Sequence, residues 1–261
     1  MNLKRMLLST LAVAVLGAGL AGSVASAETI LLEKDTEYYL QGHSVGEEVK
    51  FRKGTEVVLN DIGEAVEGTL SEAVWLRPVG WQAIIQDYSF AAGYVDVRPF
   101  YPHFSHSTYQ MALLNFGHLP YKEKTKITLN EVGLVISGTL KEEVTIALCE
   151  DRYGFVKLKS GEVLAFYPDG KLKKGTLAED TKLRPVGWRE RLDLDRESVG
   201  YVEFREGEDV EFDENGEVLV GTLKKSSKTL VDDSGKEYPA GTKLSFAGGT
   251  VTEIGKAVSK K

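Results

Sequence analysis

An internal duplication constrains the fold of this chain more than any other feature of its sequence. The hexapeptide Leu-Arg-Pro-Val-Gly-Trp at residues 76–81 recurs letter for letter at residues 183–188, an offset of 107. The same offset relates Val49-Lys50 to Val156-Lys157 before the hexapeptides, and Gly93-Tyr94-Val95 to Gly200-Tyr201-Val202 after them. A register kept without a gap over this distance indicates two copies of one structural unit.

Two shorter motifs of the form Gly-x4-Gly-Thr-Leu lie in each copy. Turn-forming residues such as Asn-Asp or Pro-Asp come just before the first glycine, which suits the positive φ of a hairpin turn. In the returning strand, successive side chains point to opposite faces, so the leucine is expected in the core and the threonine outside. We therefore predict four β-hairpins, whose second glycines are Gly68, Gly138, Gly175 and Gly221.

The predicted fold class is all-β, with internally duplicated hairpin repeats in a solenoid-like or two-lobed arrangement and one short helix in an insertion. The first repeat half is predicted over residues 28–140, the second over 141–250 and a flexible C-terminal tail over 251–261. Pro78 and Pro185 cannot donate to a ladder, which predicts a sheet edge or a bend for their segments. Trp81 and Trp188 are expected to pack between units rather than to form exposed ligand platforms.

The four Gly-x4-Gly hairpins resemble the MORN-type repeats, in particular the variant found in bacterial proteins of the YwqK antitoxin-like group. The resemblance covers the hairpins alone, which are under a third of the chain. It implies a β-hairpin repeat that is used for structure or for binding, and it implies no catalytic residues.

The N-terminus has the three parts of a secretory signal over residues 1–27. Lys4 and Arg5 form the charged start, residues 7–24 form an apolar run, and Ala25-Ser26-Ala27 supply the small residues of a cleavage site before Glu28. The protein is therefore expected to be secreted or periplasmic in a bacterial cell envelope, with no membrane span after cleavage; the alternative is an uncleaved membrane anchor. Loss of Lys4 and Arg5 changes the net charge from −7 to −9. Such an acidic chain repels phosphate groups, so no nucleic-acid partner is expected.

One segment breaks the symmetry between the two copies. The second hairpins are related by an offset of 83, from Gly138 to Gly221, and because 107 exceeds 83 by 24, the first copy holds 24 extra residues, placed near 99–124. Ser107 is expected to cap a short helix over residues 108–116 that ends at Gly117. Repeat scaffolds tolerate insertions, which often carry function. The candidate ligand-binding residues are Phe100, Tyr101, His103, Phe104, His106, Tyr109 and His118.

The chemistry of this insertion has more than one interpretation. Its aromatic side chains suit a groove for a sugar or a peptide, or a small core that holds the insertion on the sheet. His103 and His106 could face one metal ion only if further ligands converged, so no metal and no other cofactor is predicted. Cys149, the single cysteine, is expected to be a small buried residue rather than a reactive thiol.

Motifs of common enzymes are missing from the chain, among them Gly-x-Ser-x-Gly, His-Glu-x-x-His and the phosphate-binding loop. We therefore expect a non-catalytic repeat protein with a binding or structural role at the cell envelope, and not an enzyme. Its expected partner is an envelope protein or a glycan. The alternative is a hydrolase or a metal-dependent enzyme centred on the histidine-rich insertion at 99–124.

Overall fold

The computed structural model describes residues 28–40, 48–81, 117–148, 155–188, 200–226 and 237–257. Strands and the turns between them make up nearly all of these residues, which confirms the all-β fold class. The helix predicted over residues 108–116 and the burial predicted for Cys149 lie outside the described residues. Within the described ranges, no helix has the length and hydrophobicity needed to cross a lipid bilayer.

The strands of the described residues are short, with three to five residues each. In chain order they are β1 (Glu28–Leu31), β2 (Thr36–Tyr39), β3 (Glu48–Phe51), β4 (Glu56–Leu59), β5 (Ala65–Thr69), β6 (Val74–Leu76), β7 (Leu119–Tyr121), β8 (Lys126–Leu129), β9 (Val135–Thr139), β10 (Val144–Ala147), β11 (Phe155–Leu158), β12 (Val163–Phe166), β13 (Leu172–Thr176), β14 (Thr181–Leu183), β15 (Val202–Phe204), β16 (Asp209–Phe212), β17 (Val218–Thr222), β18 (Thr242–Ser245) and β19 (Thr252–Lys256).

One antiparallel sheet of 11 strands carries all four predicted hairpins, in the order β1-β4-β5-β8-β9-β12-β13-β16-β17-β18-β19. The other strands form the two-stranded pairs β2-β3, β6-β7, β10-β11 and β14-β15. Unit 1 is thus β3–β6, unit 2 is β7–β10, unit 3 is β11–β14, and unit 4 begins with β15–β17. Because each hairpin pairs with the hairpin of the next unit, the order of the sheet follows the sequence, as in a solenoid-like arrangement.

The four hairpin turns share one geometry. The first glycine of each motif has a φ between 76° and 92°, and the strand pairing shifts by one residue beside it. A turn that ends in a glycine bulge has these properties. In three turns the Oδ1 atom of an Asn or Asp accepts two backbone N–H groups, at distances from 2.8 to 3.2 Å; these residues are Asn60, Asn130 and Asp213. Tyr167 occupies this position in unit 3.

A second kind of turn joins each short strand to its hairpin. Because it also occurs beside Leu32 and just before β18, a partial unit lies at each end of the large sheet. Its central residue has a positive φ and donates its N–H to a leucine carbonyl oxygen at 2.7–2.9 Å, in the pairs Gly54–Leu32, Lys124–Leu70, Gly161–Leu140, Gly207–Leu177 and Gly241–Leu223. The fifth pair shows that β18 and β19 belong to a partial fifth unit. Within the predicted tail at 251–261, residues 252–256 form a strand that pairs with β18.

The second glycine of each Gly-Thr-Leu motif is required by packing rather than by its backbone conformation. One large apolar side chain per unit lies against it, and a Cβ on the glycine would come within 2.5–2.8 Å of that side chain. The pairs are Phe51–Gly68, Tyr121–Gly138, Leu158–Gly175 and Phe204–Gly221. The leucine that follows each threonine is at most 1% exposed, which confirms its predicted place in the core.

Candidate functional site

The connections within the short strand pairs differ in length although they are topologically equivalent. Residues 40–47 join β2 to β3, 77–118 join β6 to β7, 148–154 join β10 to β11, and 184–201 join β14 to β15. The range 77–118 is by far the longest, and 184–201 comes second. Each of these two connections leaves and re-enters the scaffold at paired strands, as shown by the pairing of Leu76 with Leu119 and of Leu183 with Val202. Length can therefore change here without a change in the sheet.

The longest connection holds the extra residues that the offset between the copies indicates. Its first flanking strand, β6, is offset from β14 by 107, whereas its second, β7, is offset from β15 by only 83. Gly117 and Gly200, which lie just before β7 and β15, both have a φ of 78°. The structural counterpart of Gly200 is therefore Gly117 and not Gly93. The extra residues therefore lie between Trp81 and Gly117, within 82–116. The bounds predicted for the insertion, near 99 and 124, shift to this range because residues 117–124 belong to unit 2.

The candidate ligand-binding residues divide into two groups on this basis. Phe100, Tyr101, His103, Phe104, His106 and Tyr109 lie outside the described residues. His118 is 7% exposed and occupies the position of Tyr201 in the other copy, so it belongs to the repeat scaffold. Among the residues that the structure describes, no group of three or more His, Cys, Asp or Glu side chains could hold a metal ion.

Each hexapeptide attaches its connection to the hairpin of the following unit. Pro78 forms a parallel bridge with Val135, and Pro185 forms the same bridge with Val218. Two backbone hydrogen bonds of 2.8–3.0 Å flank each bridge. Gly80 also lies directly on the hairpin turn of unit 3, where a Cβ would meet the Cα of Gly170 at 2.4 Å. The hexapeptides are thus joints between neighbouring hairpins.

An arginine stacks on a tryptophan in both hexapeptides. The Arg184 guanidinium lies 3.9 Å from the ring centroid of Trp188 and 4.4 Å from that of Tyr201. Trp188 donates its indole N–H to Oε1 of Glu217 at 2.8 Å, and both residues are buried. In the first copy, Arg77 lies 4.1 Å from the ring of the half-buried Trp81. These contacts support the packing role expected for the two tryptophans.

A depression of about 320 Å³, partly open to solvent, lies in unit 3 on the outer face of the large sheet, which is the face opposite to the core. Its lining includes Ala165, Tyr167 and Lys173 of unit 3, Ile136 and Ser137 of unit 2, and Glu211 and Leu219 of unit 4. The Tyr167 hydroxyl donates to the Phe212 carbonyl oxygen at 2.8 Å, and the Lys173 ammonium lies 5.4 Å from the Tyr167 ring centroid.

The electrostatic surroundings of Tyr167 are acidic. Partial burial, and then the negative charges of Asp213, Glu214, Glu211 and Asp169, raise the pKa of Tyr167. The phenol therefore stays protonated well into the alkaline range and keeps its hydrogen bond to the backbone of unit 4. Beside it, Lys174 forms ion pairs with Asp209 and Glu211 at 3.2 and 3.6 Å.

Comparison of the chain with protein-family models, with curated proteins and with solved structures found no match.

The residues of the depression were not among the candidates from sequence. A signal for them was nevertheless present in the alignment of the four hairpins, where Tyr167 stands in the place of Asn60, Asn130 and Asp213. A large aromatic residue in a turn position that favours Asn or Asp is a departure that a repeat alignment exposes. The depression itself depends on side chains from three units, which the sequence does not bring together.

Proposed function

We propose that this chain is a secreted or periplasmic, non-catalytic repeat protein with a binding role at the cell envelope, and that residues 82–116 carry its partner specificity. One observation supports this most: four equivalent connections share one scaffold, yet one of them extends over 77–118 while two extend only over 40–47 and 148–154. Because the scaffold keeps its geometry beside such a connection, the connection can present its side chains to a partner without a change in the sheet.

The residue content of the long connection supports a binding role. Its aromatic residues include Phe100, Tyr101, Phe104 and Tyr109, and residues 82–116 also hold two of the four histidines of the chain. Aromatic side chains supply large contact areas at a low cost in conformational entropy, which suits both protein and glycan partners. The proposed partner is an envelope protein or a glycan. The signal-like residues 1–27 support the proposed location.

An exchange between the two copies tests the role of the long connection. Residues 82–116 are replaced by a second copy of residues 189–199, which join the same anchors, a hexapeptide tryptophan and a positive-φ glycine. This design keeps β7, whose Tyr121 is buried, whereas a deletion of 99–124 would remove it. The exchanged protein should unfold at the same denaturant concentration as the wild type, because the sheet and its core are unchanged.

The functional measurement is retention of components from isolated cell envelopes on immobilised protein, followed by their identification. We expect a protein or glycan that the wild type retains and the exchanged protein does not. A matched control replaces residues 189–199 with a Gly-Ser linker of equal length and should retain that component. Equal retention by all three proteins, or none by the wild type, would refute the proposed role of 82–116.

The proposed location has its own measurement, the N-terminus of the exported protein. Mass spectrometry should find a mature chain that begins at Glu28. An intact N-terminus that still carries Lys4 and Arg5 would contradict cleavage.

A further inference from the structure

Three departures from the repeat pattern meet at one place on the outer face of unit 3. Unit 3 has Tyr167 where the other units have Asn60, Asn130 and Asp213. It has Lys173 where they have Val66, Ile136 and Leu219. It has Ala165 where they have Val58, Thr128 and Glu211. The scaffold requires none of these three exchanges, because the remaining units build the same hairpin without them.

Each departure contributes to the depression. Ala165 pairs with Ser137 on one side and with Lys174 on the other, so a small side chain creates space in the middle of the outer face. Tyr167 adds an aromatic ring to the lining, although it forgoes the two backbone hydrogen bonds that an Asn accepts in this position. Lys173 adds an exposed ammonium group in place of an apolar side chain.

The lining of the depression combines two kinds of surface. Ile136, Ala165 and Leu219 are apolar, and the Tyr167 ring lies beside them. Around them, Lys173 offers N–H donors, Glu211 offers carboxylate acceptors and the Ser137 hydroxyl offers both. A sugar ring matches this arrangement, because one face of the ring presents C–H groups while its rim carries hydroxyls that both donate and accept.

The charges near the depression select among sugars. Lys174 is already paired with Asp209 and Glu211, and Asp169 is paired with Lys171, while the carboxylates of Asp213 and Glu214 also lie near Tyr167. A carboxylated or phosphorylated sugar would meet this negative field, whereas an uncharged sugar would not. The depression is also partly open to solvent, so one sugar unit of a longer chain can enter it while the rest of the chain lies outside.

We propose that the outer face of unit 3 binds an uncharged sugar unit of a polysaccharide, with its ring against Tyr167 and Ala165. This sugar site goes beyond the function proposed above, because it lies on the sheet and is distinct from residues 82–116.

Titration calorimetry of the full-length mature protein tests this assignment. The probes are cellohexaose, maltohexaose and N-acetylchitohexaose, with hexagalacturonate as an acidic comparison. We expect one uncharged oligosaccharide to bind with a dissociation constant below about 1 mM, and the acidic one to bind at least about tenfold more weakly.

Two variants come from the repeat itself and should leave the fold intact. Ala165→Thr introduces the residue of Thr128, fills the depression and should weaken binding at least about tenfold. Tyr167→Asn introduces the residue that caps the turns of units 1 and 2, and should weaken binding to a similar degree. Val58→Thr makes a comparable change on the outer face of unit 1 and should leave the affinity unchanged.

Several outcomes would overturn the inference. They are the failure of every uncharged probe to bind at concentrations up to about 10 mM, equal affinity for wild type and for both unit 3 variants, and a preference for hexagalacturonate. The exchange of residues 82–116 separates this inference from the function proposed for that segment. Oligosaccharide binding should survive the exchange; its loss there would place the sugar on the connection and overturn the site on unit 3.

Discussion

The two copies of the hexapeptide have identical letters but different surroundings. Both place an arginine on a tryptophan and both pair with the hairpin of the next unit. In the second copy, Trp188 donates to the buried Glu217, while the position of Glu217 in the first copy is held by Leu134. The connection that contains the hexapeptide's last five residues extends over 77–118 in the first copy and only over 184–201 in the second. The hexapeptide thus determines which hairpin its connection contacts, and the residues around it determine how strongly that contact is stabilised.

The ion pairs between neighbouring hairpins also occur in both copies, but with different residues. Glu67 and Lys126 are paired at 2.6 Å between units 1 and 2. Between units 3 and 4, the equivalent positions hold Lys174 and Asp209, at 3.2 Å, so the two charges have changed places. An interaction across the strand pair is present in both copies, although the residues that make it are reversed. The geometry of the sheet therefore favours opposite charges at these two positions, and either position can carry the positive charge.

Truncation of the two tryptophans should have the largest effect and should distinguish the two joints. Trp188→Ala removes a buried side chain and takes from Glu217 its indole donor, so we expect a loss of about 3–5 kcal/mol in the free energy of unfolding. Trp81→Ala, at a half-buried site, should cost roughly 1–2 kcal/mol. Urea denaturation of both variants measures the difference. Equal losses would show that Glu217 and the deeper burial add nothing to the second joint.

The reversed ion pair should have a smaller effect that depends on pH. Burial alone would raise the pKa of Asp209, but hydrogen bonds from Thr176 and Lys174 and the charge of Lys174 lower it overall. A lowered pKa in the folded state means that Asp209 stabilises the fold above its unfolded pKa, and that this contribution disappears as the pH falls through the folded value. Asp209→Asn should therefore cost no more than about 1 kcal/mol at neutral pH, because solvent screens the ion pair of this partly exposed carboxylate.

The pH dependence of that cost is the decisive measurement. The difference in unfolding free energy between wild type and Asp209→Asn should shrink toward zero as the pH is lowered into the acid range. Thr176→Val keeps the carboxylate but removes one hydrogen bond, so it should reproduce only part of the loss. A difference that stays constant with pH would contradict the role assigned to the ionised carboxylate.

The smallest expected effect concerns the residue that packs on the second glycine. Tyr121 is fully buried, and the described structure gives its hydroxyl no hydrogen-bond partner, while Phe51 and Phe204 fill the same position in units 1 and 4. Tyr121→Phe should raise the free energy of unfolding by up to about 1 kcal/mol, because a buried polar group without a partner is removed. The reciprocal Phe204→Tyr should lower it. A loss of stability in Tyr121→Phe would show that the hydroxyl has a favourable interaction.

Much of the fold could be predicted from sequence because its signals are local. The turn glycines, the alternation of the strands and the leucine after Gly-Thr are all read over a few residues, and the hairpins with Gly68, Gly138, Gly175 and Gly221 are present as predicted. The packing of Trp188 also follows from the properties of a single residue. The candidate site was harder to predict, because its members share no segment.

The limits of the long connection could be set only with the structure. The sequence aligns Gly93-Tyr94-Val95 with Gly200-Tyr201-Val202, but the strand β7 and the φ of 78° make Gly117 the counterpart of Gly200. Letter identity and structural position disagree here, because a repeat unit tolerates His118 where its other copy has Tyr201. The depression around Ala165 escaped prediction for a related reason: three units supply its walls.

The sequence by itself determined the duplication, the number of complete hairpins and the length of the extra segment, since a period and its interruption are properties of the order of residues. Only the tertiary structure decided which residues fill equivalent positions and what the second glycine is for. That glycine admits the ring of Phe51, Tyr121 or Phe204, or the Leu158 side chain, from another strand. Contacts of this kind join residues that are distant in sequence, so close packing decides them rather than local preference.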